Sequence, residues 1–101
     1  MKNIIAIKTI REYYEKRPDS KKSLLKWIDV AKGANWEKPL DVVDDFNDAD
    51  PIKNSRVVFN LSGNKHRLIV AINYHFKVVR VCFIGTHAEY DRVDATTVNL
   101  Y

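Results

Sequence analysis

Asn64, Lys65, Arg67, His87 and Tyr90 crowd the last third of this 101-residue chain with groups that can handle phosphates and protons. Arginine's planar fork matches the oxygens of a phosphate. Histidine exchanges a proton near neutral pH. Tyrosine offers a hydroxyl or a stacking face, and asparagine can hydrogen-bond a base edge or a ribose. Such a set could cleave RNA without a metal or cofactor: one group takes the 2′-OH proton, a cation offsets the charge building on phosphorus, and an acid protonates the departing 5′-oxygen. Each residue also has a plain structural use. Asn64 after Gly63 suits a turn, arginines on a sheet's outer face are commonly solvated, a histidine at a strand end is commonly a surface group, and Tyr90 suits a core edge. Cys82 reads as a small buried hydrophobe, and His66 and His75 as loop or edge residues without a role.

Three strands must carry this set. From Arg56 the apolar period becomes two: Val57, Phe59 and Leu61; then Leu68, Val70, Ile72 and Tyr74; then Val79, Val81 and Phe83. Ser62-Gly63-Asn64-Lys65 is a hairpin turn. An even turn there pairs Asn60 with Arg67 and Arg56 with Ala71. A two-residue turn at His75-Phe76 pairs Ala71 with Arg80 and Arg67 with Ile84. In that register the apolar residues share a core face under the helices. Arg56, Arg67 and Arg80 share the opposite face with Asn60 and Asn73, available to an anion. Gly63-Asn64, Arg67, Gly85-Thr86 and His87 then meet at one edge, with Tyr90 and Asp91 close behind.

The first third predicts two helices. Ile7, Ile10 and Tyr14 have helical spacing, and Pro18 stops that segment. Asp19 or Ser20 can cap the next helix, whose stripe is Leu24, Ile28 and Ala31 and whose end is Gly33. Residues 1–5 can form a short edge strand. Residues 35–55 are a less regular connection, pinned to the core by Trp36 and Phe46. Its Asp-x-x-Asp-Asp-x-x-Asp-x-Asp run lacks the central glycine and closing glutamate of a calcium loop. It reads as a solvated face or a short acidic helix, so no metal is expected.

With 46% hydrophobic residues, the chain suits a single domain, residues 1–101, of α+β class. One cysteine excludes an internal disulfide and fits a reducing compartment. The apolar run after Met1 is too short for a signal peptide and no run nears a membrane span, so a soluble cytoplasmic protein is expected. Ten bases against five acids fall in residues 1–40, five aspartates and no base in 41–50, and seven bases against three acids in 51–101. The sheet region thus carries its own positive excess, weak evidence for a nucleic-acid partner.

Trp36-Glu-Lys-Pro39, Arg56-Val-Val-Phe-Asn60, Gly63-Asn64-x-x-Arg67-Leu68-Ile69 and Gly85-Thr86-His87-x-Glu89-Tyr90-Asp91 together resemble the HigB toxins, of the RelE-like group of type II toxin–antitoxin systems. The resemblance runs over nearly the whole chain. It implies two N-terminal helices on a small, mainly antiparallel sheet. It implies an mRNA endoribonuclease that acts on translating ribosomes at the 30S A site, uses the 2′-OH without metal, and inhibits translation. It also implies a cognate HigA-type antitoxin with a helix-turn-helix domain, through which alone the toxin meets DNA. Asn64, Arg67, His87 and Tyr90 fall on the matching motif positions. Arg67 is then the expected phosphate stabiliser, His87 the general acid, and Tyr90 or Lys65 the base or ribose contact. Lys65 joins Asn64 in binding RNA, and the sheet-face argument adds Arg56 and Arg80. Tyr101 could also reach the site. Alternatives are a ParE-like gyrase poison of the same fold and a non-catalytic RNA- or ribosome-binding module.

Overall fold

The computed structural model describes all residues, Met1 to Tyr101. The chain opens with β1 (Asn3–Ile5) and α1 (Ile7–Lys16), which Pro18 ends in a single 3-10 turn, Pro18–Ser20. Next come α2 (Lys21–Gly33) and α3 (Pro39–Asp45), so the first half of the aspartate run takes the second of its two readings, a short acidic helix. The strands β2 (Asp50–Ile52), β3 (Arg56–Leu61), β4 (His66–Asn73) and β5 (Val78–Thr86) follow, and α4 (His87–Tyr90) is one short turn. The five strands form one sheet in the order β1-β5-β4-β3-β2, antiparallel except where β1 runs parallel to β5. No helix is long and apolar enough to cross a membrane.

Helices α1, α2 and α3 lie on one sheet face. Ile10 of α1 and Leu24, Trp27, Ile28 and Ala31 of α2 pack on Val57, Phe59, Leu68, Val70, Val79 and Val81. Trp36 and Phe46 do pin the connection. Trp36 is buried, donates its indole N–H to Asp45 Oδ2 at 2.8 Å, and meets Phe46 edge-on, while Phe46 packs against Phe59 at 5.1 Å.

Three expectations need correction. The first hairpin has the expected register, with Asn60 opposite Arg67 and Arg56 opposite Ala71, and Ala71 does face Arg80. But a β-bulge inserts Cys82 between the pairs Ile69–Phe83 and Val70–Val81, so Arg67 faces Gly85, not Ile84. The extra residue exchanges faces beyond it: Ile84 joins the helix-side core, and Phe83 joins Val58, Ile69 and Cys82 on the other side.

That other face is not an open arginine surface, because residues 91–101 cross it. Val93, Ala95 and Val98 pack on the second cluster, and Leu100 N–H donates to Cys82 O at 3.0 Å. Finally, neither Asp19 nor Ser20 caps α2 with its side chain. Ser20 Oγ turns back to Arg17 O, and Asp19 reaches the sheet.

Candidate functional site

The hairpin tip between β3 and β4 is built from residues in the left-handed region. Ser62, Gly63 and Asn64 have φ of 51°, 63° and 75°. Glycine and asparagine adopt this region readily, and the chain reverses tightly enough to keep the even register. Asn64 and Lys65 project from the tip and are exposed.

Arg67, one step into β4, is only 8% exposed, yet no carboxylate pairs with it. Its Nη1 donates to the carbonyls of Asn64 at 2.8 Å and His66 at 3.2 Å. The protein gives its Nε and Nη2 no hydrogen bond. Its guanidinium carbon lies 5.5 Å from the centre of the Tyr90 ring, a cation resting on an aromatic face. The protein answers this cation only with neutral dipoles and an aromatic face, and its unbonded N–H groups are not sealed from solvent, which leaves them open to an anion.

Gly85, opposite Arg67, has a packing reason to be glycine. A Cβ there would meet Phe83 Cζ at 2.6 Å. The chain then turns into α4 through a capping box: Glu89 N–H donates to Thr86 Oγ1 at 3.2 Å, and Thr86 N–H donates to Glu89 Oε1 at 2.8 Å. The backbone N–H of Thr86 on the Glu89 carboxylate holds that group below its ordinary range. His87 therefore starts a helical turn at the sheet edge. Its N–H donates to Lys65 O at 3.0 Å, which ties α4 to the hairpin tip. Its ring is exposed, with Nδ1 lying 3.6 Å from Asp91 Oδ1 one helical turn on.

Asn64, Lys65, Arg67, His87 and Tyr90 thus converge at one edge, linked by direct contacts. Arg56 and Arg80 do not join them. Arg56 is 7% exposed, and its Nη1 donates to the carbonyls of Ala95, at 3.1 Å, and of Val98. Arg80 donates to Asn99 Oδ1 and lines a shallow hollow at the far end of the sheet with Ile5, Ser55 and Asn73. Both arginines hold down the C-terminal segment, whose course no regular pattern in residues 91–101 announces. Tyr101 comes to rest on α1, beside Glu12, Tyr13 and Lys16.

Residues to which the sequence reading gave no part in the site complete the edge, and His66, expected as a loop or edge residue, is buried. His66 is 2% exposed, and its ring lies between Tyr13 Oη, 2.7 Å from Nδ1, and Asp19 Oδ2, 2.8 Å from Nε2. That hydrogen bond lowers the Asp19 carboxyl below its ordinary value. Arg17 Nη2 stands 4.0 Å from Glu89 Oε1, joining the end of α1 to α4. The parity of β4 held the clue to His66: Leu68, Val70 and Ile72 point inward, and so does the residue two before Leu68. The Thr-x-x-Glu pattern likewise marks the capping box in the sequence.

Residues 20–93 match the family model HigB_toxin, described as the RelE-like toxic component of a toxin–antitoxin system. No protein of curated function matches the chain.

Proposed function

The chain belongs to the HigB toxin family of RelE-like toxic components, which work with an antitoxin partner, and from that premise we propose that it is an mRNA endoribonuclease whose site is the edge where Arg67, Tyr90 and His87 meet. Its α+β architecture, helices on one face of a mainly antiparallel sheet, is the RelE-like one. The observation that carries the proposal is Arg67: a cation nearly out of solvent, stacked on Tyr90, with free N–H groups and no acidic partner. A phosphodiester supplies the missing charge.

In the proposed reaction the 2′-oxygen attacks phosphorus and the P–O5′ bond breaks, leaving a 2′,3′-cyclic phosphate. Arg67 binds the non-bridging oxygens and stabilises the charge of the phosphorane. His87, exposed at the start of α4, gives its proton to the leaving 5′-oxygen. Tyr90 or Lys65 receives the 2′-OH proton or orients the ribose, and Asn64 and Lys65 at the exposed tip contact the flanking nucleotide. Arg56 and Arg80 serve the C-terminal segment rather than RNA. The substrate is mRNA in the ribosomal A site, and a HigA-type antitoxin neutralises the activity.

The test is primer extension on a short mRNA bound to purified ribosomes, with EDTA present and with Arg67→Ala beside the wild type. A wild-type cut in the A site that the variant fails to make supports the reading. An intact message with gyrase-dependent DNA breaks gives the chain a ParE-like action. Salt-sensitive RNA binding without products makes it a binding module.

A further inference from the structure

We propose that His66 is a positioning residue for this site, and that Tyr13 and Asp19 act through it to fix where Arg67 and Lys65 stand; the inference rests on the reading of this edge as a ribonuclease site. The imidazole bridges three parts of the fold. Tyr13 comes from α1, Asp19 from the turn between α1 and α2, and His66 itself opens β4, opposite Leu61 of β3 and Thr86 of β5. A carboxylate only accepts, so Nε2 carries a proton toward Asp19, and Nδ1 shares a hydrogen bond with the Tyr13 hydroxyl. Burial raises the Tyr13 phenol above its ordinary range, so the hydroxyl keeps its proton. Tyr13 also meets the imidazole edge-on, with ring centres 5.5 Å apart. An imidazole 2% exposed tolerates burial because each nitrogen has a partner, and that requirement fixes the ring in one orientation.

The effect on the site follows from strand geometry. Neighbouring residues of a strand point to opposite faces, so holding His66 inward holds Arg67 outward, and Lys65, the last residue of the turn, is fixed through its peptide bond to His66. The backbone on either side is in use as well: Lys65 O accepts His87 N–H, and His66 O accepts Arg67 Nη1. The start of the hairpin turn is tied to the same corner, with Ser62 Oγ bonded to Asp19 O and 3.0 Å from Ser23 Oγ. A leucine at position 66 would fill the volume, but it would leave the hairpin free to rock against the helices. Displacement of a reacting group by about 1 Å can cost about a hundredfold in rate.

The test measures kcat and KM on mRNA-programmed ribosomes, well below each variant's Tm, for Tyr13→Phe, Asp19→Ala, Asp19→Asn, His66→Leu and Tyr13→Phe/His66→Leu. NMR hydrogen exchange of the His87 amide is followed in parallel. The expected result is that Tyr13→Phe and Asp19→Ala each lower kcat about tenfold or more with KM little changed. Asp19→Asn, whose amide oxygen still accepts from Nε2, restores most of the rate, and Tyr13→Phe adds nothing once His66 is leucine. His87 amide protection falls in step. Unchanged kcat and unchanged protection in Tyr13→Phe and Asp19→Ala, both folded, would overturn the inference, as would losses confined to Tm. If the wild type leaves mRNA intact while His87 protection still falls in the variants, the proposed reaction fails and the positioning stands.

Discussion

The guanidinium of Arg67 rests on the ring of Tyr90 at 5.5 Å, and that ring in turn packs against the apolar cluster of Val58, Ile69, Cys82 and Phe83. The stacked pair therefore joins a charged group at the mouth of the site to an apolar floor. A cation held on a rigid aromatic shelf keeps its direction without an acidic partner to neutralise it.

Arg67→Met is expected to separate activity from stability. Loss of the charge contact should lower kcat by about two to three orders of magnitude. Removing a nearly buried charge that lacks an ionic partner should leave Tm close to the wild-type value. Ribosome cleavage assays paired with calorimetry check this. A collapse of Tm would mean that the guanidinium serves the fold instead.

Tyr90 is tested by two substitutions. Tyr90→Phe keeps the shelf, and Tyr90→Ala removes it. If the hydroxyl takes part in proton transfer, Phe lowers kcat nearly as far as Ala. If the ring only supports Arg67, Phe retains most of the rate. Single-turnover cleavage at saturating protein distinguishes the two.

His87→Gln should lower kcat by about two to four orders of magnitude, the usual worth of a positioned acid or base. A substrate with a 5′-thio leaving group, which needs no protonation, should recover the variant's rate. Equal defects on both substrates would remove His87 from the acid role.

The Thr86–Glu89 cap carries a pH signature. The folded-state value of Glu89 lies below its ordinary 4.5, because the Thr86 backbone N–H favours the carboxylate. Its contribution is therefore complete above the unfolded value and is lost as pH falls through the depressed folded one. The wild-type Tm should show this acid-side loss, and Glu89→Gln should show a smaller one, since Asp19 and Asp94 are also held low. Thr86→Ala should cost about 1 kcal/mol in urea unfolding.

Gly85→Ala should destabilise the fold by about 1–3 kcal/mol, since its new methyl meets the Phe83 ring. Adding Phe83→Leu should return part of that loss. An unaltered urea midpoint in the single variant would show that the ring moves aside freely.

Much of this arrangement was legible in the residues. Gly63-Asn64 marked the turn, the turn fixed Asn60 against Arg67, and the two strand ends brought His87 beside the hairpin. The bulge at Cys82 was not legible, because inserting one residue into an apolar run changes no composition, only which face each later residue takes. The fate of Arg56 was hidden for a different reason. Its partners are backbone carbonyls of residues 95 and 98, and carbonyls have no sequence signal. His66 was legible in part: inward parity implied burial, but its partners Tyr13 and Asp19 lie some fifty residues away in sequence and belong to tertiary structure.

The parallel pairing of β1 with β5 sets the order in which this chain can be completed. Asn3 waits for Val78 and Ile5 for Arg80, so β1 gains its partner only after some 75 further residues have been made. Such non-local closure is slow compared with the two hairpins, which pair neighbours along the chain. A nascent chain can form the hairpin bearing Arg67 before β5, the partner of β1, and His87 have been made. The edge proposed as the site is thus closed only once α4 has followed β5, and until then the hairpin carries Arg67 without His87 or Tyr90.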